Sequence, residues 1–237
     1  DQSKRGRFLT PRKVMDRQGR YHHPEAFLGE CVAGSLHDLF FQRRVRKRSL
    51  SDLGLHGHGT VLRDLFFGIA ISALFFVAVT LLSLFFEFSQ LNYHPPLPRK
   101  LLNYVLGSIL IAFFEEFFFR GVLLQTLMDD FSASVSVVVS SLIYSLVHFV
   151  RPLFTKPEDL SLFPTECIGL FIFGLLVAYA YLRTRSLYLS MGIHGAFVLL
   201  IKLDGILVHR LIREPAWLFG EERLVGGITT WIALLLV

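Results

Sequence analysis

Residues 113–121 read FFEEFFFRG, so two adjacent carboxylates and a guanidinium interrupt a run of phenylalanines. The stretch lies inside an apolar block from Leu101 to about Leu127, and a helix that crosses a bilayer needs roughly 20 mostly apolar residues. A charged side chain at the bilayer centre costs at least about 2.5–3.5 kcal/mol on insertion scales. Three such groups in one spanning helix therefore predict specific partners for each of them and a functional site within the membrane.

Long apolar blocks recur along the rest of the chain. The 237 residues are 53% hydrophobic with a mean hydropathy of +0.53, and the excess is concentrated in further blocks at 65–86, 131–150, 164–182, 187–203 and from 225 onward. Lipid admits only helices and closed barrels as spanning structures, and these blocks lack the alternation of barrel strands. The sequence therefore predicts an all-α fold, a polytopic membrane helix bundle of about six transmembrane helices within residues 61–237.

A basic region, residues 1–60, precedes the first block. Apolar residues recur at helical spacing from Pro24 to Phe40, and a basic cluster follows at 43–48, which predicts an N-terminal amphipathic helix. Such a helix suits the surface of an anionic leaflet or, equally, a face packed against the rest of the protein. The Gly- and His-rich residues 51–60 predict a linker.

The charges of the loops bear on orientation. If every block spans, the basic cluster lies on the same side as Arg183 and Arg185, and the positive-inside rule puts that side in the cytoplasm. Arg99 and Lys100 favour the opposite orientation but are outnumbered. We expect an integral, multi-pass membrane protein whose basic N-terminal region is cytoplasmic.

Composition also excludes several classes of protein. The net charge of +5 is juxtamembrane and shows no aromatic interleaving, so we expect the lipid bilayer and not a nucleic acid as partner. The two cysteines, Cys31 and Cys167, argue against a disulfide framework and against a cysteine metal site. A start at Asp1, a first methionine at Met15 and an end inside an apolar run at Val237 lead us to expect a trimmed chain.

The charged residues of the second block divide into a pair and a remainder. Glu116 and Arg120 are four residues apart with the glutamate first, which is the favourable order for an ion pair on one helix face. Glu115 lies about 100° around the helix and has no intrahelical cation. An unpaired carboxylate in apolar surroundings is a candidate general base.

Two histidines, His148 and His194, lie in later apolar blocks. A single membrane histidine more often hydrogen-bonds a neighbouring helix, but two of them downstream of a Glu-Glu pair favour chemistry. His148 comes late in its block and His194 early in its own, so both reach the same depth only if helices tilt or shift.

These motifs resemble those of a known family. The pattern EExxxRGxL at 115–123, YxxxH at 144–148 and His194 at the opening of a further helix is similar to that of the CPBP family. These are the CAAX-prenyl-protease and bacteriocin-processing intramembrane proteases, also called the abortive-infection family. The resemblance covers about residues 101–203 and implies hydrolysis of a peptide bond by an activated water.

The resemblance also implies a role for each residue. Glu115 would activate the water, while Glu116 and Arg120 would hold the helix geometry. His148 would orient the water or share its proton, and His194 would stabilise the oxyanion. Family members have been described both as metalloproteases and as glutamate-dependent enzymes. Glu115, His148 and His194 are a ligand set that suits zinc, yet the same residues can act without metal. The implied substrate is a peptide or membrane protein, prenylated at its C-terminus for a CAAX-type enzyme or carrying a leader peptide for a bacterial relative.

Two positions depart from the family pattern. Tyr144 stands where the second motif usually has phenylalanine, and Val198 stands where the third usually has Asn or Asp. Loss of one oxyanion donor costs about 10²–10³ in rate. The Tyr144 hydroxyl, one turn before His148, is a candidate replacement, and the alternative is that Tyr144 only packs. Lys202, one turn past Val198, is expected to extend toward the interface.

The site residues proposed from the sequence are therefore Glu115, Glu116, His148 and His194, supported by Arg120 and Tyr144. Three rival interpretations stay open. A catalytically impaired immunity or scaffold protein of the same family would show no turnover. A proton-coupled transporter would show flux in liposomes and usually internal repeats, and none is visible here. In a purely structural anchor, changes at Glu115 or His194 would affect stability alone.

Overall fold

The structure is a computed structural model that describes residues 49–57, 59–92, 98–155, 163–211, 218–219 and 224–236. The predicted amphipathic helix at Pro24–Phe40 and the basic cluster after it lie outside the described residues. The division of the chain at residue 60 stays a prediction.

The described part of the chain contains six α-helices, a short 3₁₀ helix at Leu224–Gly226 and one short antiparallel ladder. The helices are α1 (Val61–Phe85), α2 (Pro98–Asp130, with a π-helical segment at Phe117–Leu124), α3 (Ala133–Thr155), α4 (Phe163–Thr184), α5 (Leu187–Leu207) and the short α6 (Ile228–Leu236). Strands β1 (Ser89–Leu91) and β2 (Val208–Arg210) pair so that Gln90 faces His209.

The predicted all-α membrane bundle is confirmed. Five helices, α1 to α5, are long and apolar enough to cross a membrane, and they correspond to the first five apolar blocks. The sixth block begins a helix, α6, of which nine residues are described.

Small residues bring α1 and α5 together. A Cβ on Gly68 would lie 2.5 Å from the carbonyl oxygen of Leu189, and one on Gly192 would lie 2.6 Å from the carbonyl oxygen of Leu65. The Ser72 hydroxyl donates to the backbone oxygen of Ile193 at 2.7 Å. Close backbone approach through small residues is a common way to pack membrane helices, since lipid supplies no hydrophobic drive between them. This crossing fixes the part of α5 that carries His194.

Two residues of the predicted linker, Leu53 and Gly54, are buried against the bundle. The Leu53 side chain is fully buried and packs among Phe117, Leu124 and Leu187. The Gly54 carbonyl accepts a hydrogen bond from the Leu187 backbone N–H at 3.0 Å. The composition gave no sign of this packing because Leu53 and Leu55 stand apart among polar residues and glycines, and only the tertiary contacts of Leu53 show that it is buried.

Staggered helix ends bring the two histidines to the depth of the glutamates. His194 is seven residues into α5, whereas Glu115 is fifteen residues from the end of α2 at Asp130. At 1.5 Å per residue these offsets are about 10 Å and about 22 Å. The α4–α5 turn therefore lies deeper in the bundle than the α2–α3 turn, and residues 49–57 pack against it.

The α1–α5 crossing makes a stability prediction. Gly192→Ala places a Cβ against the backbone of α1, which is rigid, so we expect a loss of about 1–3 kcal/mol of stability. Thermal unfolding of the purified protein in detergent measures it. Gly205→Ala on the same helix is the matched control, because its Cβ meets nothing within 4 Å. Equal melting temperatures for the two variants would contradict the prediction.

Candidate active site

The predicted pair of Glu116 and Arg120 forms in the structure. Arg120 Nη1 donates to Glu116 Oε1 at 2.9 Å, and both side chains are almost completely buried. Arg120 Nη2 donates to the backbone oxygen of Gly174 on α4 at 3.2 Å, and its guanidinium lies 4.8 Å from the ring centroid of Tyr144 on α3. Arg120 therefore ties α2 to both α3 and α4. The pair stands where α2 changes to π-helix at Phe117–Leu124, and such segments are frequent at functional sites.

His194 joins the two glutamates through its two ring nitrogens. Its Nδ1 lies 2.7 Å from Glu116 Oε1, and its Nε2 lies 3.7 Å from Glu115 Oε2. The side chain is 3% exposed and meets the ring of Phe173 edge-on, with centroids 5.3 Å apart. The glutamate that Arg120 neutralises thus also fixes the orientation of the histidine.

Glu115 lies between the two histidines. Its Oε2 is 3.8 Å from His148 Nε2 and 3.7 Å from His194 Nε2. That oxygen is buried and has no hydrogen-bond partner among the residues that the structure describes. The Glu115 side chain is 14% exposed and that of His148 is 31% exposed, so the cluster opens on the His148 side.

The hydrogen bonds of the two Nδ1 atoms, which point away from Glu115, determine the tautomers of His148 and His194. His148 Nδ1 lies 2.7 Å from the backbone oxygen of Tyr144, which can only accept, so Nδ1 carries the hydrogen. His194 Nδ1 in turn donates to the Glu116 carboxylate. In their neutral forms both rings therefore present an Nε2 lone pair to Glu115, and either becomes an Nε2 donor only as imidazolium.

The spacing around Glu115 suits a small bridging molecule. Separations of 3.7 and 3.8 Å exceed the 2.7–3.2 Å typical of a direct hydrogen bond. A water molecule held between Glu115 Oε2 and a histidine Nε2 would donate one hydrogen to each. Its oxygen lone pairs would then be free for a substrate.

Tyr144 is central to the cluster. Its buried ring meets His148 with centroids 4.6 Å apart and His194 with centroids 6.1 Å apart. The ring also lies edge-on to Phe119 at 5.0 Å. The Tyr144 ring therefore packs at the centre of the cluster, and the donor role of its hydroxyl stays a prediction.

Among the described residues, α2 and α3 leave an open flank beside the site. The first half of α2 packs mainly against α5, and α3 meets α2 chiefly at the π-helical segment. His148, beyond that segment on α3, is accordingly the most exposed member of the cluster.

The fit of a metal is a separate question. Glu115 approaches each histidine, and the Nδ1 atom of each histidine donates to an oxygen acceptor. Histidines that bind a metal are commonly oriented by such a hydrogen bond. However, within the described residues no group of three His, Cys, Asp or Glu side chains is arranged to hold a metal ion. The predicted zinc set of Glu115, His148 and His194 therefore stays a prediction, and no chemical step is derived through a metal.

The sequence did not indicate two contacts of the site. The Gly174 carbonyl receives Arg120 at a point where α4 passes close to Ser141, and a Cβ on Gly174 would meet the Ser141 Cβ at 3.0 Å. A backbone acceptor carries no side-chain signature, although a glycine within a spanning helix is a weak signal of close approach. The contact of His194 with Glu116 was also not predicted.

Fold and site together define an integral membrane protein of several passes with a buried glutamate–histidine cluster where α2, α3 and α5 meet. Residues 97–200 match the family model described as Rce1-like, type II CAAX prenyl endopeptidase. This stretch of the chain is therefore similar to the Rce1-like family, which confirms the resemblance to the CPBP family that the motifs indicated. No curated protein and no solved structure matches the chain.

The buried ion pair makes the second prediction. Arg120→Met leaves Glu116 as a buried carboxylate with His194 as its remaining partner, and breaking a buried pair costs about 3–5 kcal/mol. The double variant Glu116→Gln/Arg120→Met should recover much of this loss, because it removes both charges. Thermal unfolding in detergent of the wild type, both single variants and the double variant gives the coupling. Strictly additive losses would contradict it.

Proposed function

We propose that the chain is an intramembrane endopeptidase of the CAAX-protease type that hydrolyses a peptide bond with a water activated by Glu115. The position of Glu115 Oε2, without a hydrogen-bond partner among the described residues and facing two Nε2 atoms at 3.7 and 3.8 Å, supports this most directly. The Rce1-like domain at 97–200 supports the class of reaction.

The proposed step conserves protons. The water donates one hydrogen to Glu115 and is oriented by the Nε2 lone pair of His148. As its oxygen attacks the scissile carbonyl carbon, Glu115 takes the proton and a tetrahedral oxyanion forms. Glu115 then returns the proton to the amide nitrogen, the carbon–nitrogen bond breaks, and a carboxylic acid and an amine leave. General base catalysis of this kind contributes about 10²–10⁴ in rate.

Stabilising the oxyanion requires a donor. His194 can donate from Nε2 only as imidazolium, since its Nδ1 hydrogen is directed at Glu116. Val198, one turn further along α5, supplies no donor. The Tyr144 hydroxyl is the remaining candidate near both histidines.

The proposed substrate is a peptide or membrane protein that reaches the site from the bilayer, with a prenylated C-terminus as the first choice and a leader peptide as the second. The basic N-terminal region is proposed to face the cytoplasm. A zinc ion on Glu115, His148 and His194 is the metallo-type version of the same proposal, in which the ion would supply Lewis acidity to the bound water.

Val198 favours a second candidate function. A chain that lacks the family's usual Asn or Asp donor at this position would serve as a catalytically impaired immunity or scaffold protein if Tyr144 and His194 do not replace it. Turnover separates the two functions.

Glu115→Gln tests the proposed base. The variant keeps shape and hydrogen-bonding capacity but cannot take a proton, so we expect cleavage of a prenylated C-a-a-X peptide to fall by about 10²–10⁴ with little change in melting temperature. Glu116→Gln should lower both activity and stability, because it breaks the buried pair with Arg120. Undiminished cleavage by Glu115→Gln would overturn the proposal, and a wild type without turnover would favour the scaffold.

Treatment with a chelator distinguishes the glutamate-type enzyme from the metallo-type enzyme. The same cleavage assay is run before and after exhaustive treatment with a membrane-compatible chelator, with zinc added back in a third arm. Activity that survives chelation supports the glutamate-type enzyme. Activity that is lost on chelation and restored by zinc supports the metallo-type.

Tyr144→Phe tests the oxyanion donor. If the hydroxyl replaces the donor missing at Val198, kcat should fall by about 10²–10³ while the buried ring keeps its packing and the melting temperature holds. Val198→Asn in the Tyr144→Phe background should restore activity. Unchanged kcat in Tyr144→Phe would show that the ring only packs.

A further inference from the structure

Lys202 is a cation within a candidate membrane span, α5. Its side chain is half-buried, and its Nζ lies 5.8 Å from the ring centroid of Tyr104 on α2. The same Nζ lies 3.6 Å from where a Cβ on Gly107 would stand. No carboxylate among the described residues forms an ion pair with it. An ammonium in such surroundings gains free energy from any anion that reaches it.

The two helices that hold Lys202 also carry the catalytic cluster. Glu115 and His194 meet at one level of α2 and α5. Lys202 follows His194 by eight residues, and Gly107 precedes Glu115 by eight residues. Because Lys202 lies beside Gly107, the two helices run antiparallel from the level of Glu115 and His194 to the level of Gly107 and Lys202. Eight residues of α-helix rise about 12 Å.

Tyr104 and Glu115 lie on the same face of α2. Eleven residues separate Tyr104 from Glu115, close to three helical turns, and this stretch is regular α-helix. The Lys202 ammonium over Tyr104 therefore lies beside the face of α2 that presents Glu115. That first half of α2 also borders the open flank of the site.

The separation matches the end of a C-a-a-X peptide. Three residues follow the prenylated cysteine in that motif. If the bond after the cysteine is the one hydrolysed, the C-terminal carboxylate lies three residues from the reacting carbon. Three extended residues span about 10–11 Å.

We propose that Lys202 binds the C-terminal carboxylate of the substrate and so sets the distance from the chain end at which Glu115 cuts. The inference rests on the proposed function and adds a specificity-determining contact to the same site. A free carboxylate and a phosphate both suit an ammonium, so lipid headgroups are the competing source of the anion.

The test compares two substrates that differ only at the C-terminus. A prenylated C-a-a-X peptide is prepared as the free acid and as the amide, and cleavage by the full chain is measured in vesicles of a neutral lipid. We expect the wild type to show a KM about tenfold lower for the acid, as a charge-assisted hydrogen bond provides. Lys202→Met should raise the KM of the acid to that of the amide and leave the amide unchanged, whereas Lys202→Arg should keep the preference.

Lys100→Met is the matched control, because Lys100 is exposed and its Nζ lies 5.7 Å from the same Tyr104 ring. It should leave the ratio of the two KM values unchanged. A wild type that cleaves acid and amide equally, or a Lys202→Met variant that still prefers the acid, would overturn the inference and leave the protease intact. A Lys202→Met effect that appears only in vesicles with anionic lipid would assign the ammonium to headgroups and would equally overturn it.

The proposed function can also fail while the carboxylate site stands. If the wild type cleaves neither peptide, binding of the same two fluorescently labelled peptides to the wild type and to Lys202→Met decides the matter. Tighter binding of the acid that is lost in Lys202→Met supports the site without catalysis. Equal binding of acid and amide to the wild type refutes it.

Discussion

A fully buried carboxylate, Glu116, is the constraint on which the rest of the site depends. An ion removed from water is tolerated only when charges and hydrogen bonds compensate it, and here Arg120 and His194 both bind its Oε1. Because Arg120 belongs to the same helix and His194 to another, the two contacts with Glu116 Oε1 also fix α5 against α2. The second Arg120 nitrogen continues the network to the Gly174 carbonyl on α4.

Because Arg120 and His194 Nδ1 bind Glu116, they do not neutralise the neighbouring Glu115. The Arg120 guanidinium contacts Glu116, the Gly174 carbonyl and the Tyr144 ring. His194 Nδ1 donates to Glu116. Among the described residues, Glu115 therefore faces the Nε2 atoms of the two histidines, at distances that fit a bridging water and exceed a direct hydrogen bond. The adjacent glutamates differ in their surroundings because Arg120 neutralises Glu116, whereas Glu115 lies at the open flank.

The helices around this network are held by close backbone packing and by burial of a segment outside the spans. Gly68 and Gly192 let α1 and α5 approach, and Leu53 fills the space beside the turn that begins α5. Lipid gives little drive for helix association, so small residues and the buried polar network provide much of the specificity. The first half of α2, which packs mainly against α5, borders the open flank of the site.

The sequence by itself determined the features that depend on local spacing. Apolar blocks of spanning length set five membrane helices, and the four-residue separation of Glu116 and Arg120 set their ion pair, since both follow from helix geometry along one segment. Only the tertiary structure decided which helix ends are staggered, that His194 contacts Glu116, that Gly174 receives Arg120 and that Leu53 and Gly54 are buried. These contacts join positions far apart in the chain, and their packing leaves no periodic pattern that a single sequence reveals.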